Sequence, residues 1–496
     1  MDHNNQALRF VTALYFALFA GVSAVPQISS AQSDQSLIAA ARAEDVNQLK
    51  ALLNTNIDVN QQQGDGATAL HWAVHRDNQE ITKLLIAAGA KTNSTNELGA
   101  TPLWLAAVNG SANMLRLLLE SGADGNVSLA MGETPLMSAS RSGKLAAVGA
   151  LIEHGADVNV AEFERGQTAL MWAVAQSHAD VVQLLIDGGA DVHARSKVRY
   201  QLENTAGNTN PSGNFRMAHG GSTPIMFAAR AGDIDTARVL LKEGANINDT
   251  AASGVSALTQ AAHSGHEDLA IFLLEEGADP NTIGAGYTAL HAAVLRSQVR
   301  LVEKLLEHGA IFDAKVEHGS PGRRFSADYS IRSQLIGRDA FWMAAKYGEV
   351  EILNILLGEG ANPLVRDEGG VTALQVAMGN SGSSLDWRRD RIGNEALDLE
   401  DEERRTLELA QILIDEGVDV NAVDNRGRTA IHHAVLKDFP SVVEYLAMRG
   451  ANIHLPNDRD LTPLQLAETV QGIPGTNGLR GTRPEVAAVL RRLGAE

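Results

Sequence analysis

A six-residue block with a fixed pattern of polar and apolar positions recurs along the chain. Each copy begins with Thr, Ser or Asp, has an aliphatic or aromatic third residue and ends in alanine. The copies are TALHWA at 68, TPLWLA at 101, TPLMSA at 134, TALMWA at 168, TPIMFA at 223, SALTQA at 256, TALHAA at 288, DAFWMA at 339, TALQVA at 372, TAIHHA at 429 and TPLQLA at 462. Thr and Asp suit the N-cap of a helix and proline is tolerated at its first position, so each block predicts the start of a helix.

A second apolar pattern follows each block and ends in a turn. In one copy Leu118 and Leu119 are followed by Gly122, and glycine fits the left-handed position that closes a helix. Neighbouring blocks are mostly 32 to 34 residues apart, a spacing typical of stacked repeats. We therefore predict units of helix, short loop, helix and extended turn. The small alanines allow close approach of neighbouring units, and the leucines of the second helix are buried between them.

Three longer spacings predict insertions at 198–220, 315–336 and 380–403. The first two lie between a turn and the next block, and we expect both to form extended hairpins at one edge of the array. These segments and their flanks carry basic and aromatic side chains on an otherwise acidic protein: Lys197, Arg199, Tyr200, Phe215, Arg216, Lys315, Arg323, Arg324, Phe325, Tyr329, Arg332 and Arg338. Such a composition is typical of a docking element for a partner, and equally of long polar loops at an exposed turn.

The third insertion lies between the two helices of one unit. Its end, LEDEERRTLELAQILI, places Glu400 and Asp401 four residues before Arg404 and Arg405. Opposite charges at this spacing stabilise a helix. We therefore expect the second helix of this unit to be extended.

The T-P-L-H-x-A block and the GADVN turn at 155–159 resemble the ankyrin repeat family. The resemblance implies an all-α ankyrin repeat solenoid over 32–496, with about twelve helix-turn-helix units, β-hairpin-like turns and the three insertions. The expected units are 32–63, 64–96, 97–129, 130–163, 164–197, 221–252, 253–284, 285–314, 337–367, 368–425, 426–458 and 459–496. In this family a histidine at the fourth block position hydrogen-bonds neighbouring turns, which is the role implied for His71, His291 and His432.

Composition narrows the possible functions. The 60 acidic residues against 41 basic ones give a formal charge of −19, which argues against general affinity for nucleic acids or anionic lipid surfaces. The chain has no cysteine, so disulfides, thiolate metal sites and cysteine nucleophiles are excluded.

The N-terminal residues have the pattern of a secretory signal peptide. Arg9 precedes an uncharged apolar run at 10–25, and small residues lead to a candidate cleavage site before Gln32, with Ala24 as a second candidate. We expect residues 1–31 to be a signal and the protein to be exported, periplasmic or secreted. An uncleaved N-terminal anchor is the alternative.

The sequence offers few candidate catalytic, metal-binding or phosphate-binding residues. His71 and His75 are four residues apart, as in a helical zinc motif, but Trp72 stands where that motif has its glutamate and no third ligand is evident. The glycine-rich stretch at 472–481 lacks the G-K-[ST] ending of a phosphate-binding loop. We expect no catalytic residues, no metal and no cofactor. An enzyme whose site is built from insertion residues His318, Arg324 and Asp328 is the alternative.

The resemblance to ankyrin repeats implies protein partners that dock on turn tips and on the ends of the first helices. In this chain those positions, with the basic and aromatic insertion residues, are the candidate binding residues: His75, Arg76, Asn109, Arg141, Gln176, Arg199, Tyr200, Arg230, His263, Arg296, Arg323, Arg324, Phe325, Tyr329, Lys346 and Tyr347. The expected function is a monomeric protein-binding scaffold in the periplasm or outside the cell, accessory or chaperone-like to another exported protein. A secreted effector or an envelope tether is the alternative.

Overall fold

The computed structural model describes residues 36–204, 214–319, 331, 335–367, 369–379, 399–472 and 479–496. The chain divides into two compact units, Met1–Glu97 and Leu98–Glu496. The signal peptide expected at 1–31 lies outside the described residues, as do Arg323, Arg324, Phe325 and Tyr329.

The first unit contains two helix pairs. They are α1 (Leu37–Ala43) with α2 (Val46–Leu53) and α3 (Ala69–His75) with α4 (Gln79–Ala87). The polar residue before a helix caps it: the Ser36 hydroxyl accepts the Ala39 N–H, and the Asp45 carboxylate accepts the Gln48 N–H. The first pair occupies the segment expected to hold an atypical first repeat.

The second unit continues the same alternation of helices. Its helices are α5 (Pro102–Asn109), α6 (Ala112–Glu120), α7 (Pro135–Arg141), α8 (Leu145–Glu153), α9 (Ala169–Ala175), α10 (Ala179–Asp187), α11 (Pro224–Ala231), α12 (Ile234–Lys242), α13 (Ala257–Ser264), α14 (Glu267–Glu275), α15 (Ala289–Leu295), α16 (Val299–Glu307), α17 (Ala340–Tyr347), α18 (Val350–Gly358), α19 (Ala373–Ala377), α20 (Leu399–Asp415), α21 (Ala430–Lys437), α22 (Pro440–Met448), α23 (Pro463–Glu468) and α24 (Pro484–Arg492). With the first unit, the described residues hold 24 helices in twelve successive pairs, which confirms the all-α repeat fold.

The repeated block forms the first, or inner, helix of each pair. Its opening residue is the N-cap, as where the Thr101 hydroxyl accepts the Trp104 N–H at 3.2 Å and the Asp339 carboxylate accepts the Trp342 N–H at 2.8 Å. The alanine that ends the block is fully buried in every copy except Ala377, which is half-buried. A larger side chain there would force the packed helices apart, which explains why every copy of the block ends in alanine.

The first insertion forms an antiparallel hairpin, the conformation that the sequence predicts. Strands β1 (Arg199–Asn204) and β2 (Asn214–His219) pair in a register that places Arg199 opposite His219. At the base, Gly220 has a φ of +86°, and a Cβ there would lie 2.1 Å from the Lys197 carbonyl oxygen. Only glycine fits that position.

The other two insertions are described in part. Residues 320–330 and 332–334, where a second hairpin is expected, lie outside the described residues, as do 380–398. The end of the third insertion belongs to α20, whose 17 residues make it longer than its counterparts. Arg404 bonds Asp401 at 3.2 Å and Glu408 at 2.8 Å. The helix is therefore extended, and Arg404 pairs with these two carboxylates instead of the expected Glu400.

Short strands β3 (Gln471–Gly472) and β4 (Leu479–Arg480) pair antiparallel between α23 and α24. The glycine-rich stretch at 472–481 therefore links the two helices of the last pair. Among the helices that the structure describes, none has the length and apolar character to cross a membrane.

Candidate protein-binding surface

We define the inner face as the last turn of each inner helix together with the residue that follows it. The described candidates on this face are all exposed or half-buried: His75, Arg76, Asn109, Arg141, Gln176, Arg230, His263, Arg296, Lys346 and Tyr347. His75 and Arg76 lie in the first unit and the others in the second. The side chains change from repeat to repeat, while the alanine beneath them stays constant.

In the first unit, His75 borders an aromatic cluster. Its ring meets the Trp72 ring edge-on, with the centroids 5.9 Å apart, and the Arg42 guanidinium carbon lies 4.3 Å above the Trp72 ring. Gln63 Oε1 accepts hydrogen bonds from Trp72 Nε1 at 3.1 Å and from Arg42 at 2.8 Å. Burial, and secondarily the Arg76 charge, lower the pKa of His75. This part of the first unit therefore places the neutral His75 imidazole beside the Arg42 guanidinium, which stacks on the Trp72 indole.

His71, four residues earlier, has a different role. It is 2% exposed, and its Nδ1 accepts the Thr68 N–H at 3.1 Å and lies 2.9 Å from the Thr68 hydroxyl. This reciprocal capping box engages Nδ1 and holds the ring against the start of its own helix. Within the described ranges no group of three or more His, Asp or Glu residues is placed to hold a metal ion.

Arg141 in the second unit shows how the inner face is organised. Its guanidinium carbon lies 4.8 Å from the Trp172 ring of the next repeat, and its NH2 group lies 3.3 Å from Glu133 Oε1. Stacking on an aromatic face and the ion pair with Glu133 together restrain the side chain. The guanidinium is therefore held in place at the end of its inner helix.

Cross-repeat bonds fix the ends of several inner helices. His178 Nε2 donates to the Arg141 carbonyl oxygen at 3.2 Å, and His266 Nε2 donates to the Arg230 carbonyl oxygen at 3.0 Å. Arg296 Nε donates to the His263 carbonyl oxygen at 2.9 Å. Each bond satisfies a carbonyl that the end of a helix leaves without an intrahelical partner. Arg296 is thus a structural residue as well as a candidate contact.

A second aromatic–basic group lies at α17. The Arg338 guanidinium carbon lies 4.9 Å from the Trp342 ring, and its NH2 group bonds Asp367 at 2.7 Å. Lys346 Nζ lies 5.6 Å from the centroid of the Tyr347 ring. Arg338 and Trp342 were not among the candidate binding residues, although an Arg before a block that contains Trp is visible in the sequence.

The hairpin candidates Arg199 and Tyr200 are exposed, and the Arg216 guanidinium carbon lies 4.8 Å from the Tyr200 ring. Arg195 fixes the hairpin base through bonds to the Gly221 and Thr250 carbonyl oxygens at 2.9 and 2.8 Å. It also bonds the Asp249 carboxylate at 2.7 Å. The hairpin therefore projects from an anchored base.

The asparagine of the G-A-D-V-N-like turn links neighbouring repeats. Asn159 Oδ1 accepts the Asp191 N–H at 2.8 Å, while its Nδ2 donates to the Gly189 carbonyl oxygen at 3.0 Å. Asn281 makes the same pair of bonds to Ile311 and Gly309, at 2.8 and 2.9 Å. The GADVN motif predicts the turn, but the sequence alone does not indicate that its asparagine bonds the next repeat.

A buried charged cluster near α21 was also missed. Asp424 accepts the backbone N–H groups of Arg426 and Arg428, at 2.8 and 2.9 Å, and bonds the Arg428 guanidinium at 3.0 Å. His433 Nε2 lies 3.4 Å from the same carboxylate. Burial opposes ionisation, but these bonds from His433 and the two arginines outweigh it and hold the pKa of Asp424 well below its usual range. The cluster is structural because its carboxylate is enclosed.

Comparisons with known proteins agree with this architecture. A model described as ankyrin repeats in three copies matches residues 37–129, 121–196, 197–284 and 226–316, a many-copy ankyrin model matches 413–467, and a single-repeat model matches 337–368. The chain is a repeat protein of stacked helix pairs. It belongs to the ankyrin repeat family, and as such it is a protein–protein interaction scaffold.

Several curated proteins are similar to parts of the chain. The rat mitochondrial disaggregase is 36% identical over 207 residues, 42% of this chain and 28% of that protein. The mouse B-cell lymphoma 3 protein homolog is 30% identical over 183 residues, 34% of this chain and 38% of that protein. A putative ankyrin repeat protein of Rickettsia felis is 25% identical over 193 residues, 37% of this chain and 46% of that protein. The chain thus spans less than half the length of each of these relatives.

Proposed function

We propose that the inner face of the second unit binds a folded protein partner through its Arg, Lys and aromatic side chains. The proposal rests on the inner-face positions between Asn109 and Tyr347. Their side chains are exposed or half-buried and differ from repeat to repeat, whereas the alanine that ends each block is buried and constant. Arginine and aromatic residues are enriched at the centres of protein interfaces. Basic groups restrained by stacking, such as Arg141 on Trp172, favour an acidic patch on the partner.

We further propose that the protein works outside the cytoplasm, as an accessory or chaperone-like factor for another exported protein. The uncharged apolar run at 10–25 and the small residues before Gln32 support export. The absence of cysteine is compatible with an oxidising compartment. Similarity to a protein named as a disaggregase supports the chaperone-like role.

Affinity capture from the native source tests the binding surface. The intact protein is compared with Arg230→Glu on α11 and with Arg238→Glu on α12 of the same repeat, each at an equal amount of folded bait. We expect Arg230→Glu to lose a partner that Arg238→Glu retains. Equal recovery of every partner by all three proteins would refute the proposed surface.

Cell fractionation tests the location separately. We expect the protein in the periplasm or the culture medium, with a mass reduced by removal of residues 1–31. Recovery from the cytoplasm at full mass would overturn the proposed export without bearing on the binding surface.

A further inference from the structure

Strand β1 presents an exposed apolar row. The side chains of Val198, Tyr200 and Leu202 are 47%, 60% and 72% exposed. They share one face because alternate residues of a strand point the same way. A row of this kind along a sheet edge favours pairing with another strand, and proteins normally protect such edges.

The outer edge of β1 also presents backbone hydrogen-bonding groups. Ser196 donates its N–H towards the β2 side, to the Ser222 carbonyl oxygen at 3.0 Å, whereas Lys197 donates in the other direction, to the Arg165 carbonyl oxygen at 2.6 Å. Along β1, alternate residues direct their backbone N–H and C=O groups away from β2. Among the described residues, β2 is the strand with which β1 pairs.

We propose that a second copy of this chain covers this edge, with two β1 strands paired antiparallel about a two-fold axis through Gln201. When the segment RYQLE at 199–203 pairs antiparallel with a second copy of itself, the side chains that face each other are complementary. In this register Arg199 lies opposite Glu203 of the second copy, and Tyr200 lies opposite Leu202 of the second copy. Each dimer thereby gains two opposite-charge pairs and two aromatic–aliphatic pairs, the kinds of cross-strand pair that stabilise a sheet.

Local contacts are compatible with this pairing. Glu203 approaches His219 Nε2 at 2.8 Å through Oε1, so an arginine placed opposite it would face a carboxylate that is already held in position. Arg199 is exposed, and Arg216 lies over Tyr200 on the other face of the hairpin, where it does not oppose the charge pairs. The edge of β1 is more accessible than that of β2, because Met217, Ala218 and His219 are half-buried.

The dimer is expected to be weak. A single pair of short strands buries less than the roughly 1,200 Å² of the smallest standard interfaces, so we expect a dissociation constant in the micromolar range or above. The isologous contact closes on itself and produces a dimer, not a fibre. This replaces the expectation of a monomer and is independent of the inner face.

Sedimentation equilibrium of the purified protein, from about 1 to 300 µM, tests the pairing. Wild-type protein should approach twice the mass of one chain at the upper end. Arg199→Glu alone and Glu203→Arg alone place like charges opposite each other, and each should weaken self-association by about tenfold or more. An equimolar mixture of the two variants should recover dimerisation, because every introduced charge then faces an opposite one.

Met448→Lys is the control, since it changes a 76% exposed apolar residue far along the chain and should leave the dimer intact. Circular dichroism and the unfolding midpoint should be unchanged in all variants, which separates lost pairing from lost folding. A wild-type protein that keeps the mass of one chain at every concentration would overturn the proposal. Two other results would also overturn it. One is dimerisation of both charge variants as readily as wild type, and the other is binding of an acidic extended peptide to the β1 edge of a protein that stays monomeric.

Discussion

His291 on α15 bonds the turn that follows its own helix pair: its Nε2 lies 3.0 Å from the carbonyl oxygen of Ala314. The other ring nitrogen accepts the Thr288 N–H at 3.1 Å, so one buried imidazole both caps its own helix and joins the next turn. Gln375 does the same in its repeat. Its Oε1 accepts the Thr372 N–H at 2.8 Å, and its Nε2 donates to the Ala422 carbonyl oxygen at 2.9 Å.

Glutamine is therefore expected to replace histidine at this position. His291→Gln preserves an acceptor for Thr288 and a donor for Ala314, and should change the free energy of unfolding by less than about 1 kcal/mol. His291→Leu removes both bonds and leaves a buried N–H and C=O, at an expected cost of about 2–4 kcal/mol. Urea unfolding at pH 7.5 measures both variants. Equal destabilisation by Gln and Leu would show that the ring acts by packing alone.

Stability should fall on acidification between the ordinary histidine pKa and about 4. Burial lowers the pKa of both His291 and His432 from 6.5 to about 4. The unfolded chain then binds protons that the folded chain does not, so each histidine contributes stability that is fully present above pH 6.5 and is lost as the pH falls towards 4. The difference corresponds to about 3 kcal/mol for each residue.

The double variant His291→Gln/His432→Gln tests this dependence. It retains the capping bonds but cannot titrate, so its unfolding free energy should change less than that of wild type between pH 7 and pH 4.5. If wild type and the double variant lost the same unfolding free energy between pH 7 and pH 4.5, the pH dependence could not be attributed to His291 and His432. His308→Gln is the matched control, because it replaces an exposed histidine instead of a buried one.

The sequence predicted the repeating frame because each repeat stabilises itself by the same local contacts. Thr or Asp at the N-cap, alanine at the helix interface and glycine after the second helix are visible one repeat at a time. Contacts such as His178 to Arg141 join residues 37 positions apart and depend on how one repeat sits on the next. The Asp424 cluster was missed for the same reason, since nothing in DNRGRTAIHH distinguishes an enclosed carboxylate from a solvated one.

Asn281 should contribute to stability through its two cross-repeat bonds. Asn281→Ala removes the acceptor for Ile311 and the donor to Gly309, and should cost about 1–2 kcal/mol. Gln183→Ala is the control, because the Gln183 side chain bonds Asp187 of its own helix, at 2.9 Å on the surface, and its loss should cost less than about 0.5 kcal/mol. The comparison uses denaturant unfolding at neutral pH, and similar losses in the two variants would refute a special role for the turn asparagine.

Asp424→Asn should destabilise the second unit by about 2–4 kcal/mol. The amide oxygen can still accept the loop N–H groups, as Asn457 does for Arg459 at 2.8 Å, but Arg428 loses its buried counter-charge. Asp419→Asn is the control, since that exposed carboxylate lies 3.9 Å from Arg366 and should have little effect. A loss no larger than in the control would mean that the buried ion pair adds nothing to stability.

Charge reversal on the inner face should weaken partner binding without unfolding the protein. Arg230→Glu changes an exposed side chain whose backbone carbonyl, and not its guanidinium, bonds His266. We expect a loss of affinity of about tenfold or more for an acidic partner, measured by titration calorimetry with the captured protein. Arg238→Glu on the outer helix of the same repeat should bind as wild type does.

Hydrogen–deuterium exchange of the protein with and without its captured partner tests the central claim most directly. Binding on the inner face predicts slower exchange at the ends of the inner helices, around 139–142, 228–231 and 344–347, with outer helices such as α10 and α12 unchanged. Slower exchange confined to the outer helices, with the inner ends unaffected, would contradict the account.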